Sequence, residues 1–357
     1  MPDRLSASMI EALGSIAPGR PLREGLDRIL QANMGALIIV GDGPEVLSIC
    51  SGGFLMDSEF SPQRLSELAK MDGAIILASD ASRIARANVH LVPNPTVATT
   101  ETGTRHRTAE RVARSIDVAV ITVSEDRSVI TVYRADQHRP LVPVERLLAR
   151  ANQALETLEG YRDRLDVVTN ALSALEVEDM VTTRDVVTVL QRTEMVRRIA
   201  EEVDSYSIEL GTDSRLVRLQ LEEMLAGVEE ERYQIVRDYL PPDPGWGVSD
   251  ALAGLSQLST DRLLDLSRVA SVLRIGSADG DLERGLKPYG YRLLSKIPRL
   301  PEPVVVNIVQ RYGGLQQVLR ASVEDLDTVE GIEVAGAHFV KEGLGRLAET
   351  SILDRLG

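Results

Sequence analysis

The stretch PLREGLDRILQANMGALIIVGDG, Pro21 to Gly43, changes its hydrophobic period halfway along. Leu22–Ala32 follows helical spacing, with Pro21 at the start, where its missing N–H is not needed. Ala36–Val40 is a continuous apolar run and predicts a buried strand, ended by the turn residues Gly41-Asp42-Gly43. Val46–Cys50 predicts a second strand, closed by Ser51-Gly52-Gly53. Leu65, Leu68 and Ala69 mark one face of a short helix. Ala74–Ala78, Val118–Val123 and Val129–Tyr133 predict further strands. Strands mixed with helices over about 140 residues point to one mixed sheet flanked by helices.

The next segment has another period. Leu147, Ala154, Tyr161, Val168 and Leu175 lie seven apart, and Ala151, Leu158, Leu165 and Leu172 interleave with them. That is a heptad seam, with Gly160 its weak spot. Thr182-Thr183-Arg184-Asp185 resembles a capping box with Asp in place of Glu. Val189, Val196, Val203 and Leu210 continue at spacing seven. One further helix is predicted from about Ser214 to Tyr239, stopped by the prolines of Pro241-Pro242-Asp243-Pro244. This segment reads either as a rigid spine that spaces two ends or assembles subunits, or as an ordinary helical bundle. From Lys287 onward, five short helices are expected, among them Val304–Tyr312, Leu315–Ala321 and Ala335–Ala348, with a tight turn at Val329-Glu330-Gly331-Ile332. The fold class is therefore multidomain α/β plus all-α, in three parts: 1–146, 147–286 and 287–357.

Charge is uneven along these parts. Residues 1–149 carry 16 basic and 18 acidic side chains, residues 150–286 carry 15 and 27, and residues 287–357 carry 9 and 9. The acidic middle would repel nucleic acid, and the neutral end would not. No apolar run approaches the roughly twenty residues of a membrane helix, and no secretory signal opens the chain. With Cys50 the single cysteine, a reducing cytoplasm is the expected location, and Cys50 a buried strand residue.

Two motifs carry chemistry. Gly103-Thr104-Arg105-His106-Arg107-Thr108 opens an amphipathic helix, with Thr104 as the expected N-cap. Three potentially cationic side chains at the positive end of a helix dipole call for a negative partner. Free N–H groups there suit a phosphate, so a polyphosphate ligand is the economical reading, with a solvated basic turn as the alternative. Met71-Asp72-Gly73-Ala74 places a carboxylate and a glycine before a strand. Glycine allows a ligand to approach the backbone, and Asp72 could hold Mg²⁺ or Mn²⁺; an Asp-Gly turn without function is the alternative. Together the motifs supply what phosphoryl or nucleotidyl transfer needs. A P-loop and a zinc-type Cys/His cluster are absent from the sequence. His90, His138 and His338 are read as surface or core residues.

Asp72-Gly73-Ala74, followed about thirty residues later by Gly103-Thr104-Arg105-His106-Arg107, resembles the paired signature of the diadenylate cyclase family. Gly35–Ile39, Ser51-Gly52-Gly53-Phe54, Asn88–Pro93 and Val123-Ser124-Glu125 agree with it. The resemblance spans the chain and implies a cyclase domain, a helical spine and a C-terminal helix-hairpin-helix domain. It implies that two ATP molecules, one on each of two facing protomers, become cyclic di-AMP and two pyrophosphates. Asp72 would then hold the metal, Mg²⁺ or Mn²⁺, and the attacking ribose. Gly73, with Ala74 after it, would meet the ribose through its backbone. Gly103, Thr104, His106, Thr108 and Ser124 would line the phosphates. Arg105 and Arg107 would support phosphate and the facing domain, and Leu91 would meet adenine. Asp72, Arg105, His106 and Arg107 form the implied catalytic set. Gly331 and Ile332 begin the Gly-hydrophobic-Gly turn that grips DNA phosphates in such hairpins. Glu333 stands where the third residue should be glycine, and Glu333→Gly is expected to strengthen DNA binding. The earlier hairpin, Ile297–Pro301, lacks glycine. A homo-octamer inhibited by branched DNA, cytoplasmic with the nucleoid as a further address, is also implied. Two rivals stand beside the cyclase: a structural DNA-binding factor whose nucleotide domain only senses ATP, and a metal-dependent nucleotidyltransferase with another acceptor.

Overall fold

The computed structural model describes residues 5–243, 245–276, 281–332 and 334–356; Glu333 lies outside them. Two compact units divide the chain, one of residues 1–153 with 202–219, the other of 154–201 with 220–357.

The first unit is built on helices α1 (Ala7–Ser15), α2 (Pro21–Gln31), α3 (Pro44–Ser48), α4 (Pro62–Leu68) and α5 (Thr104–Ser115). Between them run strands β1 (Ala36–Val40), β2 (Cys50–Ser51), β3 (Phe54–Glu59), β4 (Ala74–Leu77), β5 (Arg83–Leu91), β6 (Ala119–Ser124), β7 (Val129–Arg134) and β8 (Gln137–Pro140). The strands form one sheet in the order β2-β5-β4-β1-β6-β7-β8, with β3 paired to β5. It is mixed, because β1 and β4 are parallel while β1–β6, β4–β5 and β6–β7 are antiparallel.

Strand alternation explains why both faces are covered. Ile38 and Ile121 face the cluster of Leu13, Leu26, Ile29 and Leu65 from α1, α2 and α4. Their neighbours Leu37, Ile39 and Val120 face Val46 of α3 and Ala109, Val112 and Ala113 of α5. Val46–Cys50 is mostly helix and not the strand the sequence predicts. Pro44 sits in the first turn after Gly43, and only Val46 is buried there. Cys50 follows at the start of β2, half-buried, its Sγ donating to the Val46 carbonyl at 3.2 Å.

Two long helices follow, α6 (Val144–Glu178) and α7 (Thr183–Leu210). Of the heptad positions on α6, Leu147, Ala151, Leu158, Leu165 and Leu172 are buried while Ala154, Tyr161, Val168 and Leu175 are half-buried; on α7, Val189, Val196, Val203 and Leu210 are buried. α6 runs through Gly160 unbroken. Before α7, the Asp185 carboxylate accepts the Thr182 N–H at 2.8 Å, as the capping sequence requires. The single helix expected over 214–239 is two, α8 (Arg215–Leu225) and α9 (Val228–Tyr239). Gly227, left-handed at φ 75°, divides them.

Helices α10 (Val248–Gln257), α11 (Thr260–Leu263) and α12 (Leu266–Val272) come next. The C-terminal segment then holds α13 (Tyr291–Ser295), α14 (Glu302–Tyr312), α15 (Leu315–Arg320), α16 (Val323–Asp327) and α17 (Val334–Leu356) around one core that includes Ile297, Ile308, Val318, Leu326 and Val340. Its two hairpins share one geometry. In Val329–Ile332, Gly331 has φ 87° and the Ile332 N–H reaches the Val329 carbonyl at 3.1 Å. In Ile297–Leu300, Arg299 takes the same left-handed place at φ 63° and the Leu300 N–H reaches the Ile297 carbonyl at 3.3 Å. The missing glycine of the first hairpin thus does not change the turn; an arginine accepts the strain. No described helix is long and apolar enough to cross a membrane.

Candidate nucleotide site

The sheet pairing collects the sequence motifs on one edge. Leu37 pairs with Ala74, Ala36 with Val123, and Ala74 with Val89. The starts of β1 and β4 therefore lie beside the ends of β5 and β6. Gly35, Asp72, Gly73, Leu91 and Ser124 all fall at that edge.

Helix α5 brings its N-terminus to the same place. Gly103, not Thr104, is its N-cap, in an extended conformation with no side-chain cap. A capping hydroxyl would occupy the first N–H groups. Instead the first helical bond runs from the Arg107 N–H to the Gly103 carbonyl at 2.8 Å. Among the described residues, nothing accepts from the amides of Thr104, Arg105 and His106. These are free donors at the positive end of a 12-residue helix.

Arg105 crosses the edge. Its guanidinium passes directly over Gly35, where a Cβ would collide with Nη1. It ends 3.7 Å from the Asp72 carboxylate. Asp72 is otherwise fully exposed, so it is available to a ligand. Gly73 has φ 97°, and a Cβ there would sit 2.9 Å from the Asn88 carbonyl carbon; only glycine fits that approach.

His106 points its other way, into the sheet. Its Nδ1 is 2.8 Å from the Tyr133 hydroxyl and 3.2 Å from Thr122 Oγ1. The Tyr133 hydroxyl donates to Glu101 at 2.9 Å. Burial pushes the imidazole below its ordinary range; the Glu101 carboxylate pulls it back, and Arg127 and Arg105 add to the depression. The loop carrying Glu101 is tied to α5 from below. Buried Glu110 accepts from the Thr99 hydroxyl and from the Thr100 N–H, the latter at 3.0 Å, and pairs with Arg114 at 3.1 Å.

The remaining predicted residues are placed less decisively. Ala74 is buried in β4, and Leu91 is buried at the end of β5. Ser124 closes β6 and accepts the Arg127 N–H at 3.3 Å. Thr108 lies one turn into α5, and Arg107 is exposed. Gly331 and Ile332 lie in the C-terminal unit and form the turn described above. The sequence reading named Gly35 only within the stretch Gly35–Ile39, with no role, and missed Glu101, Glu110, Thr122 and Tyr133 as site residues. Glu110 had a signal, a carboxylate between Ala109 and Val112 on the apolar face of its helix. Among the described residues no group of three or more His, Cys, Asp or Glu could hold a metal by itself. One exposed carboxylate suits a cation that arrives with phosphate ligands of its own, as Mg²⁺ does.

An uncapped helix start, a crossing arginine and an exposed carboxylate thus lie together at one edge of the sheet, the kind of setting a polyphosphate needs. Residues 23–138 match the family model described as DisA bacterial checkpoint controller nucleotide-binding. Residues 141–281 match the DisA bacterial checkpoint controller linker region. A DNA integrity scanning protein DisA from a Parafrankia species is 54% identical over 344 residues, 96% of each chain. Its namesake from Streptomyces coelicolor is 51% identical over 350 residues, 97% of this chain and 94% of its own. Among solved structures, DacA from Staphylococcus aureus aligns with 38% of this chain and 91% of its own at 23% identity and a TM-score of 0.28, too slight a likeness to add to the relatives. The chain belongs to the DisA family.

Proposed function

We propose that the protein is a diadenylate cyclase that joins two ATP molecules into cyclic di-AMP, releasing two pyrophosphates. The observation that carries this reading is the uncapped start of α5 with Arg105 reaching from it to Asp72. The N–H groups of Thr104–His106 and the Arg105 and Arg107 guanidiniums would bind the triphosphate, with Ser124 beside them. Gly73 would let the ribose approach the backbone, and Leu91 would meet adenine through its own. Asp72 would hold Mg²⁺ or Mn²⁺, which supplies charge neutralisation on the phosphates when bound.

The chemistry needs no covalent enzyme intermediate. Each 3′-hydroxyl attacks the α-phosphate of the other ATP; two P–O bonds form, two break, and each hydroxyl proton leaves to solvent or base. What the chain supplies is position and positive charge. One site holds one ATP, so two sites must face each other across protomers. We expect specific activity to rise steeply when the full-length protein is concentrated through its association range. Cyclic di-AMP formation measured against protein concentration, with sedimentation at the same concentrations, checks this. A flat dependence in a protein that sediments as a monomer would refute the facing sites.

The C-terminal segment is proposed as the DNA sensor, for branched structures, within a homo-oligomer that the family resemblance implies is an octamer. Relatives carry the name DNA integrity scanning protein. The matching turns at Ile297–Leu300 and Val329–Ile332 support it, since such turns offer backbone N–H groups to phosphates.

A further inference from the structure

Behind His106 stand two polar side chains that neither the sequence motifs nor the family match accounts for, Tyr133 and Glu101, joined to it in one chain. Proton logic fixes its direction. An ionised carboxylate only accepts, so the Tyr133 proton belongs to the 2.9 Å bond to Glu101. The Tyr133 oxygen then has only lone pairs to offer His106, 2.8 Å away. The imidazole must therefore carry its proton on Nδ1. Burial and the Glu101 carboxylate also hold the phenol well above its ordinary value, so it stays protonated. The opposite edge of the ring turns to the helix start: Cδ2, the neighbour of Nε2, lies 3.5 Å from where a Cβ on Gly103 would stand.

We propose that Glu101 and Tyr133 are positioning residues: they commit the first proton of His106 to Nδ1, so that Nε2 takes a second proton from solvent when the triphosphate arrives and donates it to a phosphate oxygen. Neutral Nε2 has a lone pair and would repel that oxygen, so the ring has to become an imidazolium to hold it. The Glu101 charge, relayed through Tyr133, stabilises the imidazolium, as carboxylates oriented behind histidines do elsewhere. The free site is set against early protonation by burial and by Arg127 and Arg105; Glu101 is the opposing charge. His138 stacks on Tyr133 at 5.8 Å between ring centroids and closes the far side. The sum is a histidine that is neutral when the site is empty and charged when it is filled. Its release of the proton would accompany loss of pyrophosphate.

The inference rests on the nucleotide reading of the site, and its test separates the two. The chain has four histidines, so selective ¹⁵N labelling of the full-length protein resolves their rings, with His106 assigned by its loss in His106→Gln. The free wild type should show the Nδ1–H tautomer, and Tyr133→Phe, which keeps the buried ring, should lose that preference. Adding ATP with Mg²⁺ at pH 7.5 should convert His106 to imidazolium in the wild type and not in Glu101→Gln. ATP affinity of Glu101→Gln should fall at least about fivefold, a factor ordinary for one charge-assisted hydrogen bond, with an unchanged melting temperature. An Nε2–H tautomer in the free protein, or a ring still neutral at ATP saturation, overturns the proposal. A protein that protonates His106 on binding ATP yet forms no cyclic di-AMP upholds the relay and refutes the cyclase. Failure to bind ATP at any concentration overturns both.

Discussion

Asp72→Asn should lower cyclic di-AMP synthesis by about a thousandfold or more while leaving the fold intact. The side chain is fully exposed and pairs, among the described residues, with Arg105 at 3.7 Å. Exposed substitutions of this kind cost within about 0.5 kcal/mol, so the melting temperature should hold. Activity is another matter. The change keeps shape and removes the charge that would bind the metal and the attacking ribose. Metal charge stabilisation is worth several kcal/mol in a transition state, and about 4 kcal/mol is about a thousandfold in rate. Chromatography of product from matched amounts of folded wild type and variant checks this. Comparable rates would remove Asp72 from the site. ATP binding should weaken less than turnover, because the N–H groups of α5 and its arginines remain.

The largest effect on stability is expected far from that edge, at Arg292→Leu. Arg292 is buried, and its guanidinium bonds Glu176 at 2.7 and 3.1 Å, Ser173 at 2.8 Å and also Glu231. Glu176 is fully buried and otherwise accepts from the Tyr239 hydroxyl at 2.7 Å. Just beside them, Asp238 receives the N–H groups of Gly290, Tyr291 and Arg292 at 2.7–2.9 Å. This cluster fastens α13, the first helix of the C-terminal segment, to α6 and α9. Leucine would leave Glu176 buried without its cation. Breaking a buried pair from one side costs about 3–5 kcal/mol. Calorimetry should show the transition that includes the C-terminal helices moving down by many degrees. An unchanged melting profile would mean that the cluster carries little of the stability. Replacing Arg292 and Glu176 together with apolar residues should recover part of the loss, since desolvation of both charges is then avoided.

The long helices were legible because their signal repeats. A seven-residue period over Leu147–Leu175 outweighs the single Gly160, whose Cβ position meets nothing within 4 Å. Short elements lacked that redundancy. Val46–Cys50 is apolar enough for a strand, yet Pro44 after Gly43 starts a helix instead. β5 escaped notice because Arg83, Arg86 and Asn88 interrupt its apolar pattern, and Asn88 is itself left-handed at φ 54°. β3 exposes Phe54 and Leu55 and lies on an edge, so its burial pattern is weak. For the site, the α5 start stood out because positive charge at a helix N-terminus is locally costly, and Asp72 because a carboxylate beside a glycine precedes a buried strand. Glu101, Tyr133 and Thr122 stood out in nothing. Their partnership with His106 spans 5 to 27 residues and exists only once β6 and β7 have paired behind the helix.

The most direct test of the central claim is to weigh the products. Full-length protein incubated with ATP and Mg²⁺ or Mn²⁺ should yield cyclic di-AMP as the nucleotide product and one pyrophosphate for each ATP consumed. Production of ADP or AMP, transfer of AMP to another acceptor, or binding of ATP without turnover under all these conditions would contradict it.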